Sequence, residues 1–421
     1  MVSGLFCKYL PDMKRIMIYI VSALVLFSCS NDVEKWTPTG GGGTVTPPGP
    51  SEDVVWHERA KETFDLINQY YRISSGTWAG LYNENYPKGS ENSSYLWPYD
   101  GLVSGVALLH RLGYGDIDYP AMIDQFERYW YEKDGVGGYG SQTNGTSGQA
   151  DRFYDDNSIV GLDLVEAYNL TGDTEYVERA GRIVDFLAAG EDDIFGGALW
   201  WNESAKNQPG NDNSNKPACA NGYATSFLLH YYQVCPQEEK SDVLAFAKRL
   251  YDWLVDNLRD PADGCYWNDK GADGNINNTK WTYNTGVMIS NGIDLFRITG
   301  EQEYLDQAKE SAMGSYSYFV KLDPLAGMLV YPGNDPWFTI KLINAYIDIE
   351  PYYSQASSYI NTFINFADNA WENARQANGL FFENWTGTAN PDRDKQLLMQ
   401  DAALESFGVI ALYKGEKVER Q

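Results

Sequence analysis

Histidine is scarce in this 421-residue chain, which contains only three His residues. They are separated by at least 53 residues, and no two share the short spacing of a zinc-binding motif. The chain therefore offers no His triad for a catalytic metal, nor the inward His pairs that a helical sugar epimerase requires. The three residues are His57, His110 and His230.

Cysteine is also scarce, with five residues and no Cys-x-x-Cys pair, which excludes the common zinc-ribbon and redox motifs. Cys7 and Cys29 lie in the N-terminal leader region. The odd number that remains, Cys219, Cys235 and Cys265, favours buried free thiols, with a single disulfide as the alternative.

Basic residues are outnumbered, because 32 Lys and Arg face 58 Asp and Glu, giving a formal net charge of −26. This charge repels phosphate backbones and excludes nucleic acid as a partner. Aromatic residues are plentiful by contrast, with 13 Trp and 31 Tyr. Such side chains either fill a core or form flat platforms for sugar rings.

Only the N-terminus contains a long apolar run. Met13-Lys14-Arg15 precedes the apolar segment 16–27, which has the length of a signal peptide rather than of a membrane span. Residues 26–29, Leu-Phe-Ser-Cys, resemble a bacterial lipobox. We therefore predict a signal peptide at 1–28 with its true start at Met13 and a lipidated Cys29. A Gly/Pro/Thr-rich tether at 29–53 would follow, in a Gram-negative cell-envelope protein whose only membrane attachment is the lipid.

The rest of the chain, 54–421, is predicted to be one all-α domain. Apolar spacing and end signals predict twelve helices, joined alternately by tight links and long loops. Six of the long loops contain a Gly followed by aromatic or apolar residues, at intervals of about 50–70 residues. We predict an (α/α)6 toroid of six helical hairpins, with an open solenoid as the alternative. The predicted helices are 52–74, 98–112, 119–132, 155–170, 173–189, 218–233, 237–258, 283–298, 301–321, 336–349, 351–375 and 397–414.

Polar residues mark the starts of the even-numbered helices. Taken singly, each is most simply a helix cap. In a closed ring, however, all six starts would meet at one concave end beside the aromatic loops, which is the usual layout of a ligand pocket. The residues are Asp100, Asp155, Asp156, Asn221, Asn284, Asp335, Gln400 and Asp401.

Only the fourth predicted helix starts with two carboxylates, Asp155 and Asp156. Glycoside cleavage needs two carboxyl groups, one as the acid for the leaving oxygen and one acting at the anomeric carbon. Neighbouring residues hold their carboxyls about 5–6 Å apart, the separation of retaining enzymes. Because such close charges cannot both ionise easily, one pKa should be raised. A helix cap with a dipole partner is the structural alternative.

These motifs resemble glycoside hydrolase family 76, the endo-α-1,6-mannanases. The resemblance rests on the Tyr-Asp-Asp-Asn segment 154–157, the Gly-Gly-Ala-Leu-Trp-Trp segment 196–201, Lys216 with Asn221-Gly222, and the Trp-Thr-Tyr-Asn-Thr-Gly segment 281–286. It extends, with gaps, over about residues 55–415. One block departs from the family: the tenth predicted helix lacks the usual Lys-Gly, and Lys341 stands near the place of the family's Arg.

The resemblance implies an (α/α)6 fold and retaining hydrolysis of α-1,6-mannan without a metal or other cofactor, by a protein that we expect to be a monomer. By carry-over, Asp155 would be the nucleophile and Asp156 the general acid/base. The predicted substrate-binding residues are Trp97, Asp100, Tyr154, Asn157, Trp200, Trp201, Asn221, Tyr283, Asn284 and Lys341.

Two other functions remain open from the sequence. The chain could be a non-catalytic glycan-binding lipoprotein, or a toroid glycosidase with a different substrate, such as an unsaturated-glycuronide hydrolase. The segment 269–278 is rich in Asp and Asn but lacks the EF-hand spacing, so we interpret it as a solvated turn rather than as a calcium loop.

Overall fold

The computed structural model describes residues 54–143, 150–333 and 335–418. The predicted signal peptide, Cys29 and most of the tether lie outside these residues. The described part contains twelve α-helices: α1 (Trp56–Tyr71), α2 (Leu96–Leu112), α3 (Tyr119–Asp124), α4 (Tyr154–Thr171), α5 (Glu175–Ala188), α6 (Ala218–Val234), α7 (Lys240–Leu258), α8 (Thr282–Thr299), α9 (Gln302–Phe319), α10 (Pro336–Ile349), α11 (Ala356–Asn373) and α12 (Leu397–Tyr413).

The even-numbered helices form a closed inner ring. Each packs against the next, and α12 packs against α2, so the ring has no open edge. These helices are buried on nearly all sides; every residue of α12 from Leu397 to Ala411 is buried. The outer helices bury one face only, as in α5, where Tyr176, Ala180 and Ile183 point inwards. The prediction of an (α/α)6 toroid is therefore confirmed.

The two ends of the described ring are joined by hydrogen bonds. The Glu416 carboxylate, just after α12, accepts from the backbone N–H of Trp56 at 3.2 Å and of His57 at 2.9 Å. These are two of the free N–H groups that open α1. The last segment of the ring thus caps its first helix.

Tight links join inner helices to the following outer helices, as the sequence predicted. Gly172 ends α4 with φ +77°, and Gly300 ends α8 with φ +76°. This left-handed conformation is the usual helix stop, and glycine adopts it without a Cβ clash.

The predicted helix at 119–132 is wrong beyond Asp124. The chain continues as a 3₁₀ turn, Gln125–Arg128, and then as strand β1 (Trp130–Lys133), paired with β2 (Val136–Tyr139). Asp134 and Gly135 both have positive φ between these strands. An Asp-Gly pair favours such a hairpin turn, and the Trp-Tyr pair at 130–131 favours a strand over a helix.

The described residues contain seven short strands, and all except β1 lie mainly in segments that the sequence predicted as long loops. Besides β1 and β2, they are β3 (Asn215–Pro217), β4 (Trp267–Gly271), β5 (Ile276–Lys280), β6 (Lys321–Asp323) and β7 (Met328–Val330). Strands β3, β4 and β5 form one antiparallel sheet, which ties the loop before α6 to the loop before α8. The segment 269–278 is the turn of this β4–β5 hairpin with its flanking strand residues. Among the described residues, no helix has both the length and the apolar composition needed to span a bilayer.

Candidate active site

The inner helices all present their N-terminal ends to the long-loop face, and their second residues occupy equivalent places around the mouth of the ring. Five of these six residues are large aromatic side chains or carry groups that donate or accept hydrogen bonds. In chain order they are Trp97, Asp155, Cys219, Tyr283, Trp337 and Leu398. The carboxylate pair of α4 is thus part of a ring of side chains at the mouth, rather than an isolated helix cap.

Asp155 is buried, and several donors surround its carboxylate. Trp201 Nε1 donates to Oδ2 at 3.1 Å, and the backbone N–H of Asp156 donates to Oδ1 at 3.1 Å. Cys219 of α6 also interacts with this carboxylate. Burial raises the pKa of Asp155 to about 6, and these donors oppose that rise because they stabilise the charged form.

Asp156 follows Asp155 on the first turn of α4 and remains partly exposed. Burial, followed by the charge of Asp155, raises its pKa well above the usual value for Asp. The sequence predicted that one member of the pair would have a raised pKa. In the structure both pKa values are raised, and the donors gather on Asp155, so Asp156 holds its proton more tightly.

The double-Trp loop runs beside the start of α4. The backbone carbonyl of Trp201 accepts from the N–H of Tyr154 at 3.2 Å, which brings the Trp201 indole over Asp155. Buried Arg152 also holds this loop, because its guanidinium donates two hydrogen bonds to the Glu203 carboxylate at 2.8 and 2.5 Å. Trp201 therefore lies where the sequence placed it, in contact with the predicted nucleophile.

Trp200 lies inside the protein rather than on the cleft surface. Its Nε1 donates to Asp192 at 2.5 Å, and its ring lies under the ammonium group of Lys216. Lys216 is itself fully buried and donates to Asp192 and to the backbone carbonyls of the 194–198 loop. This buried ion pair shapes the loop, so Trp200 and Lys216 support the site without lining it.

Asn157 and Asn221 are also fully buried, and their amides bind the backbone. Asn157 accepts from Tyr139 N–H at 2.7 Å and donates to the Tyr139 carbonyl at 2.9 Å. Asn221 makes the same pair of bonds with Leu199, at 2.8 and 3.0 Å. Both were predicted to bind substrate, but all of these polar atoms are occupied by loop backbone.

Tyr154 faces away from the mouth. Its ring stacks on Phe186 of α5 at 4.8 Å and is 1% exposed. It precedes Asp155 by one residue, which turns it by about 100° around the helix towards the outer layer. The structure thus assigns it to the contact between the two layers instead of to the cleft.

Aromatic side chains from α2, α8 and α10 pack together at the mouth. Trp97 is partly exposed and meets Trp337 edge to face at 5.1 Å. The ring centroid of Phe338 lies 4.1 Å from that of Tyr283 and 5.8 Å from that of Trp281. Trp97 and Tyr283 were predicted site residues, whereas Trp337 and Phe338 were not, although the second-residue register of α10 indicates Trp337.

Asn284 follows Tyr283, is fully buried and donates to Asn268 of β4 at 3.3 Å. Asp335 precedes α10 and binds Arg393 at 2.8 Å, and burial raises its pKa to about 6. These contacts join the loops around the mouth to one another.

Charged groups continue down the ring axis below the mouth. Asp100 on α2 interacts electrostatically with Asp163, which lies about two turns beyond Asp155 on α4, and Lys341 pairs with Glu405 at 2.6 Å. Burial raises the pKa of Asp163 to about 7 and that of Asp100 well above its usual value. Asp100 and Lys341 were predicted to bind substrate; both lie on this axial network beneath the aspartate pair.

Two further features bear on the chemistry. Cys219, Cys235 and Cys265 are buried free thiols, as the sequence favoured. In the described part of the chain, no group of three His, Cys, Asp or Glu side chains is arranged to hold a metal ion. The reactive groups of the mouth are therefore two adjacent carboxyls beside aromatic rings.

A ring of six helical hairpins with such a pair at its mouth defines the class of (α/α)6 glycoside hydrolases. The family model of glycosyl hydrolase family 76 matches residues 55–411. The chain belongs to this family. No curated protein matches it.

Solved structures agree with this assignment. A family 76 α-mannanase from Bacteroides thetaiotaomicron is 25% identical, with a TM-score of 0.74 over 86% of this chain and 97% of that one. A second B. thetaiotaomicron structure, a family 76 mannosidase, is 22% identical, with a TM-score of 0.73 over 86% and 99%. An α-1,6-mannanase from a Salegentibacter species is 24% identical, with a TM-score of 0.66 over 85% and 99%.

Proposed function

We propose that this chain is a retaining glycoside hydrolase that cleaves α-1,6-mannosidic bonds in mannan or manno-oligosaccharides. Asp155 is the nucleophile and Asp156 is the general acid/base. The observation that carries the proposal is the unequal environment of the pair. Hydrogen-bond donors gather on Asp155 and favour its charged form, whereas burial and the charge of Asp155 keep the proton on Asp156.

The reaction proceeds in two balanced steps. Asp155 attacks the anomeric carbon and forms a mannosyl ester, while Asp156 gives its proton to the departing glycosidic oxygen. Asp156, now a carboxylate, takes a proton from water as that water attacks the anomeric carbon and the bond to the Asp155 carboxylate breaks. The second step releases mannose-terminated product, restores both carboxyls and retains the anomeric configuration.

The substrate class is supported by relatives. An inactive variant of the Salegentibacter α-1,6-mannanase, in which two consecutive aspartates are replaced by alanine, was solved in complex with α-1,6-mannotetrose. Adjacent aspartates in this chain occupy the start of an inner helix beside an aromatic mouth. Trp97 and Trp281 are partly exposed there and offer ring faces for the apolar side of a pyranose.

The test compares Asp155→Asn and Asp156→Asn on an α-1,6-linked mannan and on an aryl mannoside. We expect both variants to lose at least about a thousandfold in kcat on mannan, with circular dichroism unchanged. A phenol leaves with little help from an acid, so Asp156→Asn should keep far more activity on the aryl substrate than Asp155→Asn. Full activity of Asp155→Asn on mannan would refute the assignment of the nucleophile.

Product stereochemistry tests retention independently. Proton NMR of the first-formed product should show the α-anomer before mutarotation, and a β-anomer would indicate inversion. Binding of mannan without any product would instead favour a glycan-binding protein, and release from glucans or uronides alone would favour another toroid glycosidase.

We also propose that the chain is a monomer held at the Gram-negative cell envelope by a lipid on Cys29. The lipobox-like segment 26–29 and the tether at 29–53 support this proposal. Cys29→Ser should move the protein from the membrane fraction to the soluble fraction, with unchanged mannan hydrolysis; a variant that stays in the membrane fraction would contradict it.

A further inference from the structure

Exposed hydrophobic side chains are concentrated in one part of the surface. Among the described residues, seven large hydrophobic side chains are exposed, and five of them lie between residues 313 and 329. Three of these five are leucines of the β6–β7 hairpin. Leu325 at the tip is 98% exposed, and Leu322 and Leu329 on the strands are 65% and 45% exposed. Apolar surface that is grouped in this way marks an interaction site, whereas single scattered residues do not.

The strand register places two of these leucines side by side. Leu322 pairs directly with Leu329, so both side chains point to the same, outer face of the hairpin. Their neighbours on β7, Met328 and Val330, are buried, and β7 packs against α11. A hairpin that packs one face on the protein usually has polar residues on the other face. In this hairpin the outer face is apolar instead.

The geometry of the turn does not require an apolar tip. The carboxylate of Asp323 accepts from two backbone N–H groups of the turn at 2.8 and 2.9 Å, and Gly327 ends the turn with φ +67°. The other two hairpins on the long-loop face turn at the polar pairs Asp134-Gly135 and Asp273-Gly274. The Leu325 side chain is therefore surplus to the turn and is presented to the surroundings.

The hairpin also differs from the rest of the chain in charge. Between residues 311 and 331 only Lys321 and Asp323 are charged, whereas the whole chain has a formal net charge of −26. Lys321 is exposed, and the Asp323 carboxylate is held by the turn. The segment is thus neutral overall, so it can leave water without the large desolvation penalty of unpaired charges.

We propose that the β6–β7 hairpin inserts into the surface of a lipid bilayer, with Leu322, Leu325 and Leu329 as the inserted side chains. The proposal rests on the proposed lipid anchor at Cys29, which would keep the domain beside the bilayer. The predicted tether at 29–53 can extend by at most about 80–90 Å, so the hairpin would meet the bilayer at a high effective concentration. A protruding tip suits a deformable lipid surface, whereas a protein partner would need a matching pocket.

Insertion would also orient the cleft. The hairpin lies in the long loop before α10, and α10 begins with Trp337 and Phe338 at the mouth of the ring. Docking of the hairpin therefore brings the mouth side of the ring towards the bilayer. A single lipid anchor on a long tether does not fix this orientation.

The test uses a chain that starts at Ser30, because the apolar segment 16–27 would itself bind vesicles. The ring closes within the described residues, so this chain keeps the folded domain. We expect it to sediment with neutral phosphatidylcholine vesicles and to stay bound at high salt, since the contact is apolar. Leu325→Ser should weaken binding about tenfold, and Leu322→Ser combined with Leu329→Ser should weaken it further.

Ile276→Ser is the matched control, because Ile276 is a single exposed aliphatic residue on β5 of the β4–β5 hairpin. It should leave vesicle binding unchanged. A polarity-sensitive dye attached to Leu325→Cys should shift to shorter wavelength when vesicles are added, whereas the same dye on Ile276→Cys should not. The native thiols Cys219, Cys235 and Cys265 are buried and should not take up the dye.

Absence of vesicle binding, or equal binding by the native and Leu325→Ser chains, would overturn the proposal. So would a dimer in analytical ultracentrifugation that Leu325→Ser converts to a monomer, because the hairpin would then be a contact between two copies of the chain. Leu325→Ser should keep full hydrolysis of soluble manno-oligosaccharides. The vesicle assay needs neither catalysis nor lipidation, so its failure is distinct from a failure of the proposed function, which would appear as activity in Asp155→Asn, and from retention of Cys29→Ser in the membrane fraction.

Discussion

Amide side chains at the fourth residue of three inner helices lock the long loops to the ring. Asn157, Asn221 and Gln400 each accept from and donate to the backbone of one loop residue. Thr285, at the same place on α8, accepts from Tyr266 N–H. The sequence placed Asn221 and Gln400 at helix starts and Asn157 among the predicted substrate-binding residues, but these side chains turn towards the loops and not towards the ring axis.

This role gives a prediction at the scale of one residue. Asn221→Ala leaves the N–H and C=O of Leu199 without partners inside the protein. Unsatisfied buried groups of this kind cost about 1–3 kcal/mol each, so we expect the free energy of unfolding to fall by roughly 2–4 kcal/mol. Urea unfolding measures it, with the exposed Asn373→Ala as the control that should change little.

The single residues that determine the chemistry were only partly predictable. Asp155 and Asp156 stand out because, of the six predicted inner helices, only the one at 155–170 starts with two adjacent acids. Trp337 and Phe338 have no such signal, since aromatic residues in an apolar helix usually belong to the core. Their place at the mouth depends on how neighbouring helices pack, which only the folded ring determines.

At the scale of elements, helix ends and repeats were well predicted because the signals are local. Gly172 and Gly300 stop their helices by backbone conformation alone. The helix predicted for the segment 125–132 was wrong because its aromatic residues suit either a helix face or a strand. The Asp134-Gly135 turn that follows favours the strand. Gly286 belongs to the Trp-Thr-Tyr-Asn-Thr-Gly segment 281–286, and helix packing explains why a glycine lies there.

Gly286 and Gly172 give contrasting predictions for helix packing. A Cβ on Gly286 would lie 2.7 Å from Leu342 Cα and 2.8 Å from the Lys341 carbonyl oxygen, so α8 and α10 would have to separate. We expect Gly286→Ala to lower the free energy of unfolding by roughly 3 kcal/mol. Gly172→Ala meets no atom within 4 Å and should cost only about 1 kcal/mol, from its positive φ.

Thermal unfolding with mannan hydrolysis checks this pair. Gly286→Ala should also lower activity in the folded protein, because α8 and α10 carry Tyr283 and Trp337 at the mouth. Gly172→Ala should keep full activity. Equal loss of stability in the two variants would contradict the close helix approach.

At the scale of the whole molecule, buried carboxyls make stability depend on pH. Burial raises the pKa of Asp163 to about 7 and that of Glu84 to about 8. It also raises the pKa values of Asp100 and Asp401 well above the usual value for Asp. These groups bind protons more tightly in the folded chain than in the unfolded chain. Their contribution is complete below the unfolded pKa of about 4 and is lost as pH rises through about 7–8.

The free energy of unfolding should therefore fall between pH 5 and pH 8. Carboxyls with a lowered pKa, such as Asp192 and Asp260, contribute above pH 4 and stay constant over this range. Asp163→Asn keeps the hydrogen bond from Ser104 and should make the decline less steep, whereas Asp65→Asn at the surface should not. Urea unfolding at several pH values measures the slopes; a rising stability would contradict the prediction.

The closed ring also means that the chain could begin at a different hairpin. Glu416 binds the backbone of Trp56 and His57, so the described ring begins and ends at the same place. No gap in the ring therefore marks one hairpin as the first. A short peptide could join these ends while new termini open at the link after Gly300, where the chain turns without crossing the mouth. Such a circular permutant would keep every inner-helix contact, so the hairpin at which the chain begins can change without changing the arrangement of the hairpins around the mouth.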